Sequence, residues 1–408
     1  MRTKIGIAIL LATGILGVVG AVGRTNSAPQ APTAPPAPQP LVVHEWGTFT
    51  NFSGSDGIQL DFRPLIENEL PPFVYDRSWH GSGPFSKRQR VARQRMETPI
   101  TYFYSDHPRQ LDVRVDFPQG LLTEFYPPAI KMTPRYAGEQ EALKDSSLTW
   151  KISLQPEADD AAREALPKVS AEDHYGFARE TDATLLKAVD SFGIEYVEKF
   201  LFYRGLGNFS LPLRLEALPD RRFRVVNDGP DPIAGLFLVM IDEQGLHFCA
   251  HASVAAHSTL EAVVPDETAA SEELGDRMAH ALVAAGLFEK EADAMVHTWQ
   301  SSWFSEPGAR LFYLVPRRLT DEIIPLHIEP APDQMVRVLV GRMETLTPET
   351  AESLLAVVRG MGTCSSPDVE PLRSELDRLG RFADPALAYL RAHADDEGMR
   401  ATLARLQR

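Results

Sequence analysis

The chain has 408 residues, more than the ~100–200 of a usual domain, so two or three structural units are expected. Hydrophobic residues make up 44% and charged residues 24%, which is typical of a globular protein with a sizeable core. The formal charge of −15 argues against general nucleic-acid binding, because a surface that binds nucleic acid needs concentrated positive charge.

The N-terminus has the layout of an export signal. "MRTK" supplies two positive charges, and residues 5–23 then run without a charge or strong polar group. The small residues at 21–23 allow cleavage, yet the run is also near the ~20 residues that span a bilayer and could remain as an anchor. Residues 1–24 are therefore predicted to be a signal peptide or membrane anchor. Because the positive charges come first, the rest of the chain is expected in the periplasm or cell envelope, with membrane contact only through this segment.

A proline-rich stretch follows this segment. Residues 28–40 contain six prolines, and this composition favours an extended, semi-rigid spacer without a core of its own. Residues 25–40 are therefore predicted to be a Pro/Ala-rich linker between the N-terminal segment and the folded body.

The next part of the chain, residues 41–264, has the pattern of an antiparallel β-sandwich. Short segments rich in β-branched and aromatic residues are separated by Gly, Pro, Asp or Asn, as in consecutive strands. Strong turn signals occur at 227–232 and 242–245, and the second predicts a β-hairpin. Helical spacing of apolar residues predicts one helical insert near 158–192, which includes the segment 181–193.

The pattern then changes to a mixture of helices and strands. Residues 265–345 are predicted to form a mixed region that packs on the body, with two helices between 268 and 304. Residues 346–408 are predicted to be a small helical C-terminal unit, which begins with a Thr cap and a Pro at the first helical position. The fold class is therefore mainly β with α additions: an antiparallel β-sandwich-like core, a mixed α/β region and a helical C-terminal unit.

The first predicted strand places His44 and Glu45 among apolar and aromatic residues. Side chains alternate along a strand, so the two point to opposite faces, and at least one lies beside buried surface where it needs a partner. Arg204, Glu97 and Glu124 on other predicted strands could join them in an internal ion network. Two interpretations stay open: the network locks the fold, or one Glu is a general base and the Arg an oxyanion clamp. These five residues are the candidate catalytic residues.

The segment 245–257 offers the sharpest local pattern for a metal site. On a strand, His247, Cys249 and His251 project from one face while the residues between them face the core. Imidazole and thiolate suit Zn²⁺ or copper, and His257 or a carboxylate from a neighbouring strand could complete the shell. The alternative is a solvated sheet face with two histidines and a half-buried thiol, which is normal in antiparallel sheets.

The chain carries five long motifs: "VVHEWGTFT", "METPITYFYS", "FPQGLLTEFYPPA", "FLFYRGLGNF" and "SWFSEPGARLFYLVPRR". Together they resemble a family of uncharacterised exported bacterial proteins that open with a HEWGTFT-type motif. The resemblance spans about residues 41–345. It implies architecture and export; the family has no established activity, so it implies no reaction. The His-rich segment at 245–257 is not a motif of this family.

Two functions of different classes follow from these patterns. The β-rich body, the linker and the lack of a complete catalytic constellation favour a binding or scaffold module with an unknown cell-envelope partner or ligand. The alternative is a metal-dependent hydrolase or other metalloenzyme, with the His/Cys face as ligands and Glu45, Glu97 or Glu124 as base. The two cysteines, Cys249 and Cys364, could also form one bridge in an oxidising compartment.

Overall fold

The computed structural model describes residues 40–63, 70–77, 90–135, 143–170, 173–362 and 369–406. The predicted signal or anchor segment and almost all of the predicted linker lie outside these residues. Cys364 lies outside them too, while Cys249 is a free thiol. Among the helices that the structure describes, none is both long and apolar enough to cross a lipid bilayer.

The described residues form nineteen strands. In chain order they are β1 (Val42–Ser53), β2 (Gln59–Leu60), β3 (Tyr75–Asp76), β4 (Gln94–Tyr104), β5 (Arg109–Phe117), β6 (Gly120–Tyr126), β7 (Lys131–Thr133), β8 (Ser146–Gln155), β9 (Leu185–Val189), β10 (Glu195–Glu198), β11 (Phe200–Gly207), β12 (Leu213–Leu218), β13 (Arg222–Asn227), β14 (Ile233–Asp242), β15 (Gly245–Val254), β16 (Ser258–Val263), β17 (Gly308–Leu314), β18 (Leu326–Glu329) and β19 (Gln334–Thr345).

Nine α-helices occur in the same residues, together with a short 3₁₀ turn at Gly380–Phe382. The helices are α1 (Asp160–Glu164), α2 (His174–Phe177), α3 (Ser271–Ala284), α4 (Glu289–Trp303), α5 (Arg317–Ile323), α6 (Pro348–Gly362), α7 (Glu370–Arg378), α8 (Ala383–Ala392) and α9 (Glu397–Arg405). The predicted fold class, mainly β with α additions, is confirmed.

The largest sheet has β1 at its centre. Its strands run in the order β15-β14-β17-β19-β1-β4-β11-β6-β3, and β2 pairs with the end of β1. β1 is antiparallel to β4 but parallel to β19, so this sheet is mixed where the sequence predicts antiparallel strands. Eleven of the twelve residues of β1 are buried, because both faces of the sheet are covered.

One face of the large sheet packs against two smaller sheets. The first has the order β10-β9-β8-β5-β18, with β7 paired to β8, and the second has the order β12-β13-β16. Val43 and Phe49 of β1 share one apolar core with Trp150 of β8 and Val225 of β13. Face-to-face packing of sheets over an apolar core is the sandwich arrangement that the sequence predicts.

Helices cover the opposite face of the large sheet. Leu274, Met278 and Leu282 recur every fourth residue along α3, so they form one apolar stripe that faces the sheet. Met295 of α4 and Trp46 of β1 belong to the same core. Alternate residues of β1 therefore serve two different cores, one on each side of the sheet.

The C-terminal helices form a third core at one end of the large sheet. Leu372, Leu387 and Leu403 of these helices pack with Phe52 of β1 and Leu206 of β11. The sequence predicts a helical unit over 346–408, and the structure has α6, α7, α8 and α9 there. They are joined to the body by buried apolar contacts.

The structure differs from the sequence prediction in the helical insert and in the mixed region. The helix predicted at 181–193 is wrong over Leu185–Val189, which form β9, and the helical part of the insert is limited to α1 and α2. Asp190 closes the following turn by accepting from the backbone N–H groups of Phe192 and Ile194. β17 and β19, from the predicted mixed region, lie within the large sheet.

Candidate functional site

Glu45 lies in a closed ion pair inside the core. It sits opposite Arg337 in the parallel pair of β1 and β19, and Arg337 Nε donates to Glu45 Oε2 at 2.6 Å. The hydroxyls of Tyr203 and Thr101 donate to Glu45 Oε1. Burial alone would lower the pKa of Arg337, but Glu45 outweighs it and the pKa is raised. Both carboxylate oxygens of Glu45 are hydrogen-bonded, and Glu45 does not line the cavity described below. It therefore does not fit the predicted role of general base.

His44, on the other face of β1, fixes the start of α4. Its Nδ1 lies 2.7 Å from Glu291 Oε2, and both side chains are fully buried. The same carboxylate accepts from the backbone N–H of Phe288 at 2.8 Å and from the Tyr104 hydroxyl at 2.7 Å. Glu291 therefore both caps the helix and joins it to the sheet. Because His44 is one of the side chains that make this joint, its contact is structural.

Glu97 belongs to a different group of charges, around a cavity. Its carboxylate accepts from the Thr50 hydroxyl at 2.7 Å and lies 3.1 Å from Arg95 Nε. Burial alone would raise the pKa of Glu97, but the neighbouring guanidinium groups, Arg95 first, outweigh it and lower the pKa to about 2. A carboxylate held ionised in this way is an ion-pair partner and a poor general base.

Arg204 lines the same cavity and is among the cations that lower the pKa of Glu97. It sits opposite Glu124 in the pairing of β11 with β6, and its guanidinium carbon lies 5.8 Å from the ring centroid of Phe202. The Glu124 carboxylate accepts from the Thr123 hydroxyl and does not line the cavity. Of the five predicted catalytic residues, the cavity therefore brings together two, Glu97 and Arg204.

The cavity itself has a volume of about 610 Å³. It lies where the large sheet, the C-terminal half of α4 and the turn between α7 and α8 meet. Its wall is mixed: aromatic rings lie among a larger number of polar and charged side chains, and the rings are those of Phe52, Phe62, Tyr175, Phe202, Trp299 and Phe382. Small-molecule sites usually have volumes of ~300–1,000 Å³, so the volume of this cavity is in the usual range.

A buried ion network adjoins one side of the cavity. Glu344 accepts from Arg310 Nε at 3.1 Å and from Arg342 Nε at 2.6 Å. Glu306 joins the network through Arg342 Nη2 at 3.0 Å and Arg381 Nη2 at 2.5 Å. Arg310 also donates to the carbonyl groups at the end of α4, so the network ties together strands, helix and C-terminal turn. None of these five residues is among the candidates predicted from the sequence.

Electrostatics in this network are dominated by cations. Burial lowers the pKa of Arg342 to about 10, and the attraction of Glu344 only partly offsets it because Arg381 and Arg310 are close by. Burial alone would raise the pKa of Glu344, but Arg310, Arg342 and Arg381 outweigh it and lower the pKa. The Glu344 carboxylate is thus held ionised among guanidinium groups that repel one another.

Backbone strain and two unpartnered polar atoms mark the cavity wall. Thr98 has φ 44°, and the register of β1 and β4 shifts at this point. A Cβ on Gly47 would meet the Cα of Pro99 at 2.8 Å. At this point β4 therefore passes closer to β1 than any residue larger than glycine would allow. Thr98 Oγ1 and Trp299 Nε1 are buried without a hydrogen-bond partner among the described residues. Strain of this kind collects at functional sites.

His247 is buried in the structure. The metal hypothesis, by contrast, places it on an exposed or metal-binding face of the strand. Its Nδ1 lies 3.1 Å from the carbonyl oxygen of Glu267, and its Nε2 lies 3.4 Å from an Asp242 carboxylate oxygen. Nδ1 is therefore hydrogen-bonded within the fold, while Nε2 lies near Asp242 without a hydrogen bond among the described residues.

The remaining predicted ligands do not complete a site. Cys249 Sγ lies 3.8 Å from His251 Nε2, and burial raises the pKa of the Cys249 thiol to about 11, which disfavours the thiolate that a metal needs. His257 lies in the turn between β15 and β16, with φ 49°. Within the described ranges, no group of three or more His, Cys, Asp or Glu side chains could hold a metal ion. The predicted Zn or Cu site is therefore not formed.

Comparisons with known proteins give little further guidance. No protein-family model and no curated protein matches the chain. The yeast δ-COP-I mu-homology domain complexed with a Dsl1 WxWxV peptide is 6% identical, over 76% of this chain and 98% of that chain, with a TM-score of 0.26. The Fcho1 Mu homology domain of Danio rerio with bound Eps15 peptide is 10% identical, over 76% and 96%, with a TM-score of 0.28.

Proposed function

We propose that this chain is a binding module whose ligand occupies the cavity between the large sheet, α4 and the C-terminal turn. The observation that carries this proposal is the combination of volume and lining: about 610 Å³, bounded by a group of aromatic rings together with many polar and charged side chains. An apolar ligand body would displace water from the rings, and the polar groups would orient it.

Two buried donors belong to residues of the cavity wall. Thr98 Oγ1 and Trp299 Nε1 are parts of residues that line the cavity and are more than nine-tenths buried. A buried polar group without a partner costs ~1–3 kcal/mol, so a ligand that reached either atom and accepted from it would gain. A metal-dependent hydrolase is disfavoured by contrast, because the candidate ligands do not converge and Glu45 is closed in an ion pair.

The cellular compartment in which the chain meets its ligand is a prediction from the sequence. The N-terminal pattern supports export, so the ligand would be one that the protein meets outside the cytoplasm. Residues 1–24 lie outside the described residues, and the proposal of a binding module does not depend on them.

The proposal is tested with the uncharged fluorescent probe N-phenyl-1-naphthylamine, whose emission rises in apolar sites. We expect saturable binding to the chain. The substitution Ser301→Trp puts a large ring at the exposed rim of the cavity and should weaken probe binding by about tenfold or more, equivalent to ~1.4 kcal/mol.

The matched control is Ser305→Trp, which adds the same ring at an exposed serine that does not line the cavity. Its probe affinity should equal that of the unsubstituted chain. The proposal is wrong if the probe does not bind saturably, or if both variants lose affinity equally.

A further inference from the structure

The outer edge of β15 has no strand beside it in the described parts of the chain. β15 is the last strand of the large sheet, and β14 pairs with its inner edge without a register shift. The carbonyl oxygen of Leu246 accepts from the backbone N–H of Ala269, so the backbone of Leu246 points outward. The direction alternates along an antiparallel strand, so the N–H and C=O groups of Phe248, Ala250 and Ala252 point outward too.

β15 also lacks the features that protect edge strands. Charged residues, proline or a short length normally keep the edge of a sheet from pairing with another chain. β15 has ten residues, "GLHFCAHASV", and none of them is Asp, Glu, Lys, Arg or Pro. The other strands at the ends of the described sheets have only two to six residues, and each contains a charged residue: they are β3, β10, β12, β16 and β18.

The outward part of β15 is complementary to itself. If β15 pairs antiparallel with the β15 of a second copy about a two-fold axis at Ala250, each residue faces the one equally far beyond Ala250. Phe248 then faces the partner's Ala252, so a large side chain lies beside a small one. Cys249 faces the partner's His251, so no two like residues with ionisable side chains oppose each other. Ala250 and Ala252 are exposed in the single chain, which leaves room for this pairing.

The position of the axis follows from the ends of the free edge. With the axis at Ala250, all of the exposed outward-pointing backbone groups exchange hydrogen bonds with the partner. An axis at Cys249 or at His251 would set one outward-pointing residue opposite Leu246 or Val254. Both of these are buried by the fold of their own copy. The axis at Ala250 therefore uses the free edge most completely.

We propose that two copies of this chain associate by antiparallel pairing of β15 with β15, so that the large sheet continues from one copy into the other. A contact made by a few strand residues buries less than the ~1,200–2,000 Å² of a stable interface, so we expect a dissociation constant on the order of 10 µM. The proposal goes beyond the binding function, because β15, all of which the structure describes, contributes no residue to the cavity lining.

The first test is the mass of the full chain in solution. Sedimentation equilibrium in a density-matched non-ionic detergent, which keeps the apolar segment 5–23 dispersed, should show the mass rising from one copy to two between about 1 and 100 µM. Ala250→Lys places two like charges at the axis and should raise the dissociation constant about tenfold or more. The matched control is Thr259→Lys, which adds the same charge at an exposed position of another edge strand, β16, and should leave the constant unchanged.

A cross-linking experiment tests the register. In a cysteine-free background, with Cys249→Ser and Cys364→Ser, the substitutions Ala250→Cys and Ala252→Cys each place one thiol on the same exposed face of β15. The Cα atoms of residue 250 in the two copies would lie ~5.5 Å apart, which a disulfide spans. Those of residue 252 would lie ~14 Å apart, because each faces the partner's Phe248, and this exceeds the ~7 Å limit of a disulfide. Diamide, which takes up the two hydrogens of the thiols, should therefore give about fivefold or more covalent dimer for Ala250→Cys than for Ala252→Cys.

Three results would overturn the proposal. A full chain that sediments as a monomer at every concentration would leave the β15 edge to a strand of a different protein. Equal cross-linking of Ala250→Cys and Ala252→Cys would show a contact without a fixed register. Association that Ala250→Lys and Thr259→Lys leave equally strong would lie elsewhere on the chain. Because Ala250→Lys should bind N-phenyl-1-naphthylamine as the unsubstituted chain does, failure of the cavity proposal is detected separately.

Discussion

Single residues decide how the buried charges of this protein are tolerated. Glu45, Glu97 and Glu344 are all buried carboxylates, and each has at least one guanidinium group within ion-pair distance. Such pairs lose hydration when they are buried, so their net contribution to folding is small, but removing one partner leaves an isolated charge and is costly. These residues are therefore the positions at which conservative substitutions should have large effects.

Glu97 gives a prediction about pH. Its neighbouring guanidinium groups lower its pKa in the folded protein from the ordinary 4.5 to about 2, so its ionised form stabilises the fold above pH 4.5 and this contribution disappears as the pH falls towards 2. Glu97→Gln should lower the free energy of unfolding by about 3 kcal/mol at pH 7. The difference from the unsubstituted chain should shrink between pH 5 and pH 3, as measured by urea unfolding.

Glu352→Gln is the control for this experiment, because Glu352 is an exposed residue of α6. It should change the free energy of unfolding by less than about 0.5 kcal/mol. A gap between Glu97→Gln and the unsubstituted chain that stays constant down to pH 3 would contradict the assigned role of the Glu97 carboxylate.

The site could be predicted only in part, for reasons that lie in particular residues. Glu97 and Arg204 stand out in the sequence because they interrupt apolar strands. Arg342 and Glu344 alternate with apolar residues along β19, and such alternation normally indicates a solvated face. Here α4 and the C-terminal turn cover that face. Glu45 and Arg337 are paired by the register of β1 and β19, which local sequence does not contain.

At the scale of elements, α4 depends on one carboxylate for its attachment to the sheet. Glu291 is the third residue of α4, and it bonds the backbone N–H of Phe288, the ring of His44 and the hydroxyl of Tyr104. A helix capped in this way has its first turn fixed to β1 and β4. The aromatic wall that α4 contributes to the cavity should depend on that attachment.

Substitution at the start of α4 tests this attachment. Glu291→Ala should lower the free energy of unfolding by about 3–5 kcal/mol, since it leaves buried polar partners behind. Glu289→Ala, at an exposed position in the same turn, should cost only about 0.3–1 kcal/mol through the helix dipole. Urea unfolding of both variants gives the comparison.

A double-mutant cycle with His44→Leu adds a second check. If His44 and Glu291 interact as the 2.7 Å distance indicates, the double variant should be more stable than the sum of the single effects predicts. Strict additivity of the two substitutions would show that the contact contributes nothing to stability.

The type of each element could be predicted where its period is clear. α3, α4 and α6 have apolar residues on one face and recognisable starts, and the structure has helices there. The helical spacing of apolar residues in 181–193 predicts a helix where the structure has β9. Leu185, Leu186 and Ala188 are buried on both sides of the strand, so the alternation that would identify it is absent.

At the scale of the whole molecule, the C-terminal helices belong to the cooperative body of the protein. Residues 39–408 form one compact unit, and the third core joins these helices to β1, β6 and β11. The turn at Gly380–Phe382 also supplies part of the cavity wall. Ligand binding and packing of the C-terminal helices should therefore be coupled.

Leu387→Ala in α8 tests this coupling. Leu387 is almost fully buried in the third core, so its truncation should lower the free energy of unfolding by about 2–5 kcal/mol. Calorimetry should show one transition at a lower temperature. Two separate transitions, with only the first one shifted, would show that the helices unfold on their own and that no coupling exists.

The parallel pair at the centre of the large sheet also governs the timing of folding. Glu45 and its partner Arg337 are 292 positions apart, so β1 leaves the ribosome long before β19 exists. At ~5–20 residues per second, β1 waits roughly 15–60 s for its neighbour. During that interval a strand rich in apolar residues has one edge without its native neighbour, and it is open to wrong pairing. Chaperones that hold the nascent chain should matter more for this protein than for one whose central strands are adjacent in sequence.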